Sequence, residues 1–201
     1  MLYDRVTAAQ KVTLHRRIGE REEQAYGRRA TDIAMELAVH FERGRDFWRA
    51  VQYLQQAGEN AMRRNAHDEA IKLLTKGLEL LKTLPDTLER TRQEITLQLF
   101  LRTPLITTKG LAAPEVEHAC SRALDLCRQL GELPQLFAAL MGLWSVRLTQ
   151  ADVQTARKLG EQCLRLAQSE NDFSNLMWIY NRLGMTLFHS GEFALAHHHL
   201  E

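Results

Sequence analysis

The residues best suited to chemistry are three cysteines and a run of histidines. Cys120, Cys127 and Cys163 are an odd number in a chain of 201 residues, a poor basis for a disulfide framework. Cys120 and Cys127 lie seven apart, so on a helix they share one face and read as small buried apolar residues. His197, His198 and His199 suggest a metal, but consecutive helical residues point about 100° apart and three in a row cannot face one ion. His197 and Glu201, four apart, could share one; a solvated chain end is the simpler expectation. Arg16, Arg17, Arg21, Arg28 and Arg29 form a basic stretch. Glu20, Glu22 and Glu23 interrupt it, which favours a solvated face or a protein contact over nucleic acid.

No phosphate-cradling G-x-x-x-x-G-K-[ST] occurs, and no H-E-x-x-H, nucleophile motif or carboxylate pair. The expectation is a non-enzymatic chain with no catalytic residues, no metal and no cofactor. Lys plus Arg number 26 and Asp plus Glu 25. That balance gives no general attraction to nucleic acid or an anionic membrane. No apolar run approaches the roughly 20 residues of a membrane span, and Met-Leu-Tyr-Asp-Arg lacks the apolar segment of a signal peptide. A reducing, cytoplasmic setting is expected.

The elements that must position any site are helices. With 45% apolar residues, 11 Gly and only 4 Pro, the chain suits a helical core and not a turn-rich β fold. Leu14 and Ile18 mark a helix over 4–25, broken at Gly27. Ile33, Leu37 and Phe41 form one stripe over 29–43, with Gly44 expected as a left-handed stop. Asp46 can cap the next helix, to about Arg64, with Val51, Leu54 and Ala57 inward. Residues 67–82 turn Ile71, Leu74 and Leu78 inward. A helix over 88–102 presents Ile95, Leu99 and Arg102. Pro104, Gly110 and Pro114 mark Thr103 to Ala113 as the longest irregular piece. Further helices run from Pro114 to Leu130, from Pro134 to about Leu148, from an Asp152 cap to Ser169, and from an Asn171 or Asp172 cap to His189. A last one starts near Glu192. About ten helices with short links follow, and no strand.

Self-similarity favours an open stack over a closed bundle. Tyr180, Leu183, Gly184 and Leu187 precede Gly191, Ala196 and Leu200. Gly184 admits a close second helix, and Ala196 completes the contact. This pattern resembles the tetratricopeptide repeat, a helix–turn–helix unit of about 34 residues. A second copy holds Leu140, Leu143, Trp144 and Arg147, then Ala156, Gly160 and Cys163. It is long for the family, and Trp144 stands where a small residue is usual. Ala34, Leu37, Ala38 and Phe41 with Ala50, Leu54 and Ala57 form a third copy. Gly58 and Ala61 with Ala70, Leu74 and Gly77 form a partial fourth. The implied fold is all-α, a tetratricopeptide-like α-solenoid, a right-handed superhelix of antiparallel helix pairs. The implied packing residues are Gly184, Ala196, Ala156, Ala38, Ala50 and Ala70. In the family the first helix of each pair lines the concave face. That register places Trp178, Asn181, Met185, Phe188 and His189 in the groove, with Met141, Ser145 and Leu148 from the preceding copy. Packing between helices is the competing role for Trp178 and Phe188.

Longer segments carry a wider resemblance. Leu14-His15-Arg16-Arg17-Ile18-Gly19-Glu20-Arg21, Ala38-Val39-His40-Phe41 and Gln55-Gln56-Ala57-Gly58-Glu59-Asn60-Ala61 are among them. So are Ala66-His67-Asp68-Glu69-Ala70-Ile71 and Thr107-Thr108-Lys109-Gly110-Leu111-Ala112-Ala113-Pro114-Glu115-Val116. These resemble the tetratricopeptide sensor region of large bacterial signal-transduction ATPases of the AAA/STAND type, which often carry a nucleotide cyclase or DNA-binding module. The resemblance implies that 1–27 is the helical tail of an ATPase-linked module and that 28–201 are repeats, cut short at the C-terminus. It implies a protein, a peptide or the attached ATPase as partner, with neither membrane nor direct nucleic acid. A stand-alone adaptor and a helical enzyme domain with an unrecognised site are the alternatives.

Overall fold

The computed structural model describes residues 7–131, 133–170 and 172–200. Among them are ten α-helices and no strand: α1 (Ala8–Tyr26), α2 (Ala34–Arg43), α3 (Phe47–Arg63), α4 (His67–Leu81), α5 (Leu88–Lys109), α6 (Pro114–Leu130), α7 (Leu133–Thr149), α8 (Val153–Ser169), α9 (Phe173–His189) and α10 (Phe193–Leu200). The chain divides into two compact units, Met1–Pro104 and Leu105–Glu201.

One kind of turn recurs at five joints, in both units. The amides of Asp46, Ala66, Asp152, Asp172 and Glu192 donate to the carbonyls of Phe41, Ala61, Arg147, Ala167 and Leu187, at 2.9–3.1 Å. Each bond spans five residues back, the closing bond of a Schellman turn. Arg45, Asn65, Ala151 and Gly191 hold the required positive φ. Three of these turn residues then begin the next helix: the carboxylates of Asp46, Asp152 and Asp172 accept from the amides of Arg49, Thr155 and Asn175. That satisfies amide donors that the first helical turn leaves unpaired. The bond from Thr155 holds the Asp152 carboxyl below its ordinary range.

In the first unit, α1 packs on α2 and α2 on α3, which packs on α4. Leu37, Phe41, Val51 and Leu54 are buried at the centre, and Phe41 stacks on Tyr53. Gly44 corrects the expected left-handed stop. Its φ is −78°, and Arg45 takes the left-handed position instead. Gly44 is needed for another reason: a Cβ there would lie 2.9 Å from the backbone of Arg16 on α1. Three side-chain links tie α1 to the same surface. The Tyr53 hydroxyl donates to Glu23 at 2.6 Å, Arg49 pairs with Glu23, and Arg16 reaches Asp46.

Three stretches depart from the sequence expectation. The helix expected over 29–43 begins as a 3-10 segment, Gly27–Ile33. Asn60 of α3 donates to the Thr31 carbonyl at 2.6 Å, a tertiary bond that no local pattern encodes. On α4 the fully buried residues are Ala70, Leu73, Leu74, Gly77 and Leu81, while Ile71 and Leu78 are half-buried. The expected loop at 103–109 is helix, because α5 runs through Pro104 to Lys109. An interior proline costs about 3 kcal/mol. Here Leu101 and Leu105 are buried on either side of it, and apolar burial of roughly 1.5–3 kcal/mol per side chain offsets that cost. The buried row is Ile95, Leu97, Gln98, Leu101 and Leu105, with Leu99 and Arg102 only half-buried.

In the second unit, α6 through α10 pack each on the next. Pro114 opens α6 and Gly131, in the left-handed region, closes it. Cys120, Cys127 and Cys163 are buried. Burial pushes the Cys163 thiol up to about 12, which keeps it protonated and unreactive.

Candidate functional site

The site is built on α9. Its inward face buries Ile179, Leu183, Gly184, Thr186 and Leu187. The residues between these turns point outward by helical periodicity, and they are apolar. Phe173 is 82% exposed, Trp178 55%, and Met177, Met185 and Phe188 are exposed with them. Asn181 and His189 are exposed on the same side. Phe188 meets Phe193 of α10 edge-on, ring centroids 5.4 Å apart. All five α9 residues taken from the repeat register therefore share one open face.

The α7 residues stand differently. Met141, Ser145 and Leu148 are half-buried, and the Ser145 hydroxyl donates to the Met141 carbonyl of its own helix. They offer a shallower, more covered row. The small residues Gly184, Ala196, Ala156, Ala38, Ala50 and Ala70 are all buried.

Trp144, where the repeat pattern expects a small residue, is 2% exposed. Its indole N–H donates to the Thr186 hydroxyl at 3.0 Å, which meets the requirement of a buried indole for a partner. Beside it, Gly160 of α8 makes room for Leu183 of α9. A Cβ on Gly160 would lie 2.6 Å from a Leu183 methyl and 3.7 Å from the Trp144 ring. Arg182 then lies against two indoles, 5.3 Å from the Trp144 ring and 5.1 Å from the Trp178 ring. That is cation–π range. The arrangement fixes Trp178 while leaving one side of its ring open.

Sequence reasoning missed Phe173, Met177, Phe193 and Arg182. The first two continue the Asn181 row backwards at four-residue steps, and Arg182 follows Trp178 by four. Those spacings were the available signal. Electrostatically the face is simple: α7, α9 and α10 contain no Asp or Glu. Arg147 is tied to Glu117 of α6. On α10, His197 and His198 are exposed, and His199 lies against Tyr180. The possible partner of His197, Glu201, lies outside the described residues, as does Asn171. Among the described residues no three His, Cys, Asp or Glu side chains gather as metal ligands, and no helix is long and apolar enough to cross a membrane.

Comparison with known proteins yields structures alone. No protein-family profile matches the chain, and no curated protein does. Among solved structures, BtubC (BKLC) from P. vanneervenii is similar over 96% of this chain and 85% of its own, with a TM-score of 0.68 and 15% identity. The MamA protein is similar over 94% of this chain and 87% of its own, with a TM-score of 0.60 and 15% identity. The likeness is one of fold: an all-α, tetratricopeptide-like helical repeat.

Proposed function

We propose that this chain is a non-catalytic scaffold that binds a protein partner on the open face of α9, with the α7 row beside it. One observation carries this reading: the exposed row of Phe173, Met177, Trp178, Met185 and Phe188 on a single helix. Isolated surface apolar residues need no explanation, but a contiguous row marks an interaction surface. Aromatic and methionine side chains are enriched at interface cores, and methionine adapts to varied apolar partners. Asn181, in mid-row, brings both a donor and an acceptor for a peptide backbone. The partner is a peptide or helix with apolar anchors, held as a helix is held in a groove.

The wider role follows from the resemblance of the sequence to sensor regions of signalling ATPases. On this reading residues 1–27 join the repeats to an ATPase-linked module in the cytoplasm. Occupancy of the α9 face then biases that module only as far as the partner prefers one of its states. The test selects helical peptides from a display library on the purified chain and measures their affinity by fluorescence anisotropy of the dye-labelled peptide. Trp178→Ala with Phe188→Ala is expected to weaken selected binders at least tenfold. Unchanged binding to a variant with native helix content rejects the face. The ATPase link is tested separately, by nucleotide turnover of the full-length protein with the same double variant. Unaltered turnover in the presence and absence of binder rejects it.

A further inference from the structure

The contact between α1 and α2 contains an arrangement that the binding face does not use. His15 is buried on α1, and its Nδ1 lies 3.1 Å from Nδ1 of half-buried His40 on α2. The rings tilt by 44° with centroids 5.1 Å apart. Two facing lone pairs repel and two facing N–H groups clash, so the bridge requires one ring to donate and the other to accept. A neutral pair meets that requirement with opposite tautomers. A singly protonated pair meets it as well. A proton on the far nitrogen of His40, Nε2, leaves the N–H···N bridge intact. It also turns a donor toward Glu22 Oε2, 4.0 Å away, a buried oxygen with no hydrogen-bond partner. A second proton has no such place. It must go to the accepting Nδ1 of His15, which sets two N–H groups and two cations against each other.

The surroundings reinforce this asymmetry. Burial, then the facing His40, then Arg43 of α2 lower the His15 pKa from its ordinary 6.5. The nearby charges are engaged: Arg16 of α1 with Glu20 and Asp46, and Arg49 of α3 with Glu20 and Glu23. Glu22 is thus the carboxylate positioned to accept from the first proton on His40 Nε2.

We infer that the His15–His40 bridge is a two-proton release for α1, which stays docked with none or one proton bound and lets go of α2 when both rings are charged. Release uncovers Phe41, which now faces Gly19, and the groove over Gly44 where the Arg16 backbone sits. The sign follows from His15. A ring easier to protonate when undocked makes docking full above about pH 6.5 and weaker below it, by about tenfold per pH unit for one extra proton.

The test is amide hydrogen exchange on the full chain from pH 7.5 to 5, as protection factors for α1 relative to α3. The wild type is expected to lose α1 protection about tenfold per unit below pH 6.5. His15→Gln and His40→Gln keep a hydrogen-bonding group but cannot take the second charge. The α1 profile of His15→Gln is expected to stay flat, and that of His40→Gln, where His15 remains buried, to fall less steeply than the wild type's. Glu22→Gln retains both rings but removes the acid, so its loss starts at higher pH than in the wild type. A flat wild-type profile, the same fall in both glutamine variants, or an unmoved onset in Glu22→Gln overturns the proposal. Where a glutamine variant leaves α1 unprotected even at pH 7.5, ring-nitrogen resonances of the wild type decide. A second ring protonation coincident with α1 exposure supports the release, and exposure without it overturns it.

Discussion

Helices α7 and α9 occupy the same register, forty residues apart, yet they present opposite surfaces. Leu140 is 3% exposed and its counterpart Tyr180 is 38% exposed. Met141, Ser145 and Leu148 are half-buried, whereas Asn181, Met185 and Phe188 are open. The difference is not one of hydrophobicity, since both helices are rich in large apolar residues. One contribution is what stands over α7: side chains of α9, Thr186 and Arg182, close over its Trp144. An apolar side chain in a repeat therefore becomes core or interface according to its neighbour, and its own type does not decide.

Exchanging the roles of these two helices gives the sharpest tests. Trp144→Ala removes a buried indole and leaves Thr186 without that donor, so a loss of about 3–5 kcal/mol is expected in denaturant unfolding. A loss below 1 kcal/mol breaks the contrast at once. Gly160→Ala pushes a Cβ against Leu183, whose flexible end can yield, and about 1–3 kcal/mol is expected. Asp172→Ala removes the cap of α9 at a cost of about 1 kcal/mol, read as a lower melting temperature with the fold retained. Trp178→Ala, on the open face, should change stability by no more than about 0.5 kcal/mol. A larger loss assigns that ring to packing and removes the best anchor of the proposed interface.

These helices show what was legible in the sequence. Helix existence, the aspartate caps and the inward rows of α3 and α9 are local features, carried by spacing within one segment. The 3-10 start at Gly27–Ile33 depends on Asn60, far along the chain, and the passage of α5 through Pro104 depends on burial around Leu101 and Leu105. Neither partner is visible from within its segment. The outward row of α9 was half-legible. Trp178, Asn181, Met185, Phe188 and His189 followed from the repeat register, but that register names a face and does not state its exposure. Trp144 was the least legible, because the partner of its indole, Thr186, lies two helices further along the chain.

The uniform turn has a consequence for how such a chain can change length. From Asp152 to Asp172 to Glu192 each helix with its joint takes twenty residues. Inserting or deleting one such module would exchange outer for inner helices in everything downstream, so the α9 face would be rebuilt on the wrong side. Gain or loss of two modules preserves the order. Duplication in steps of forty residues is the length change this architecture absorbs without rewriting its surface.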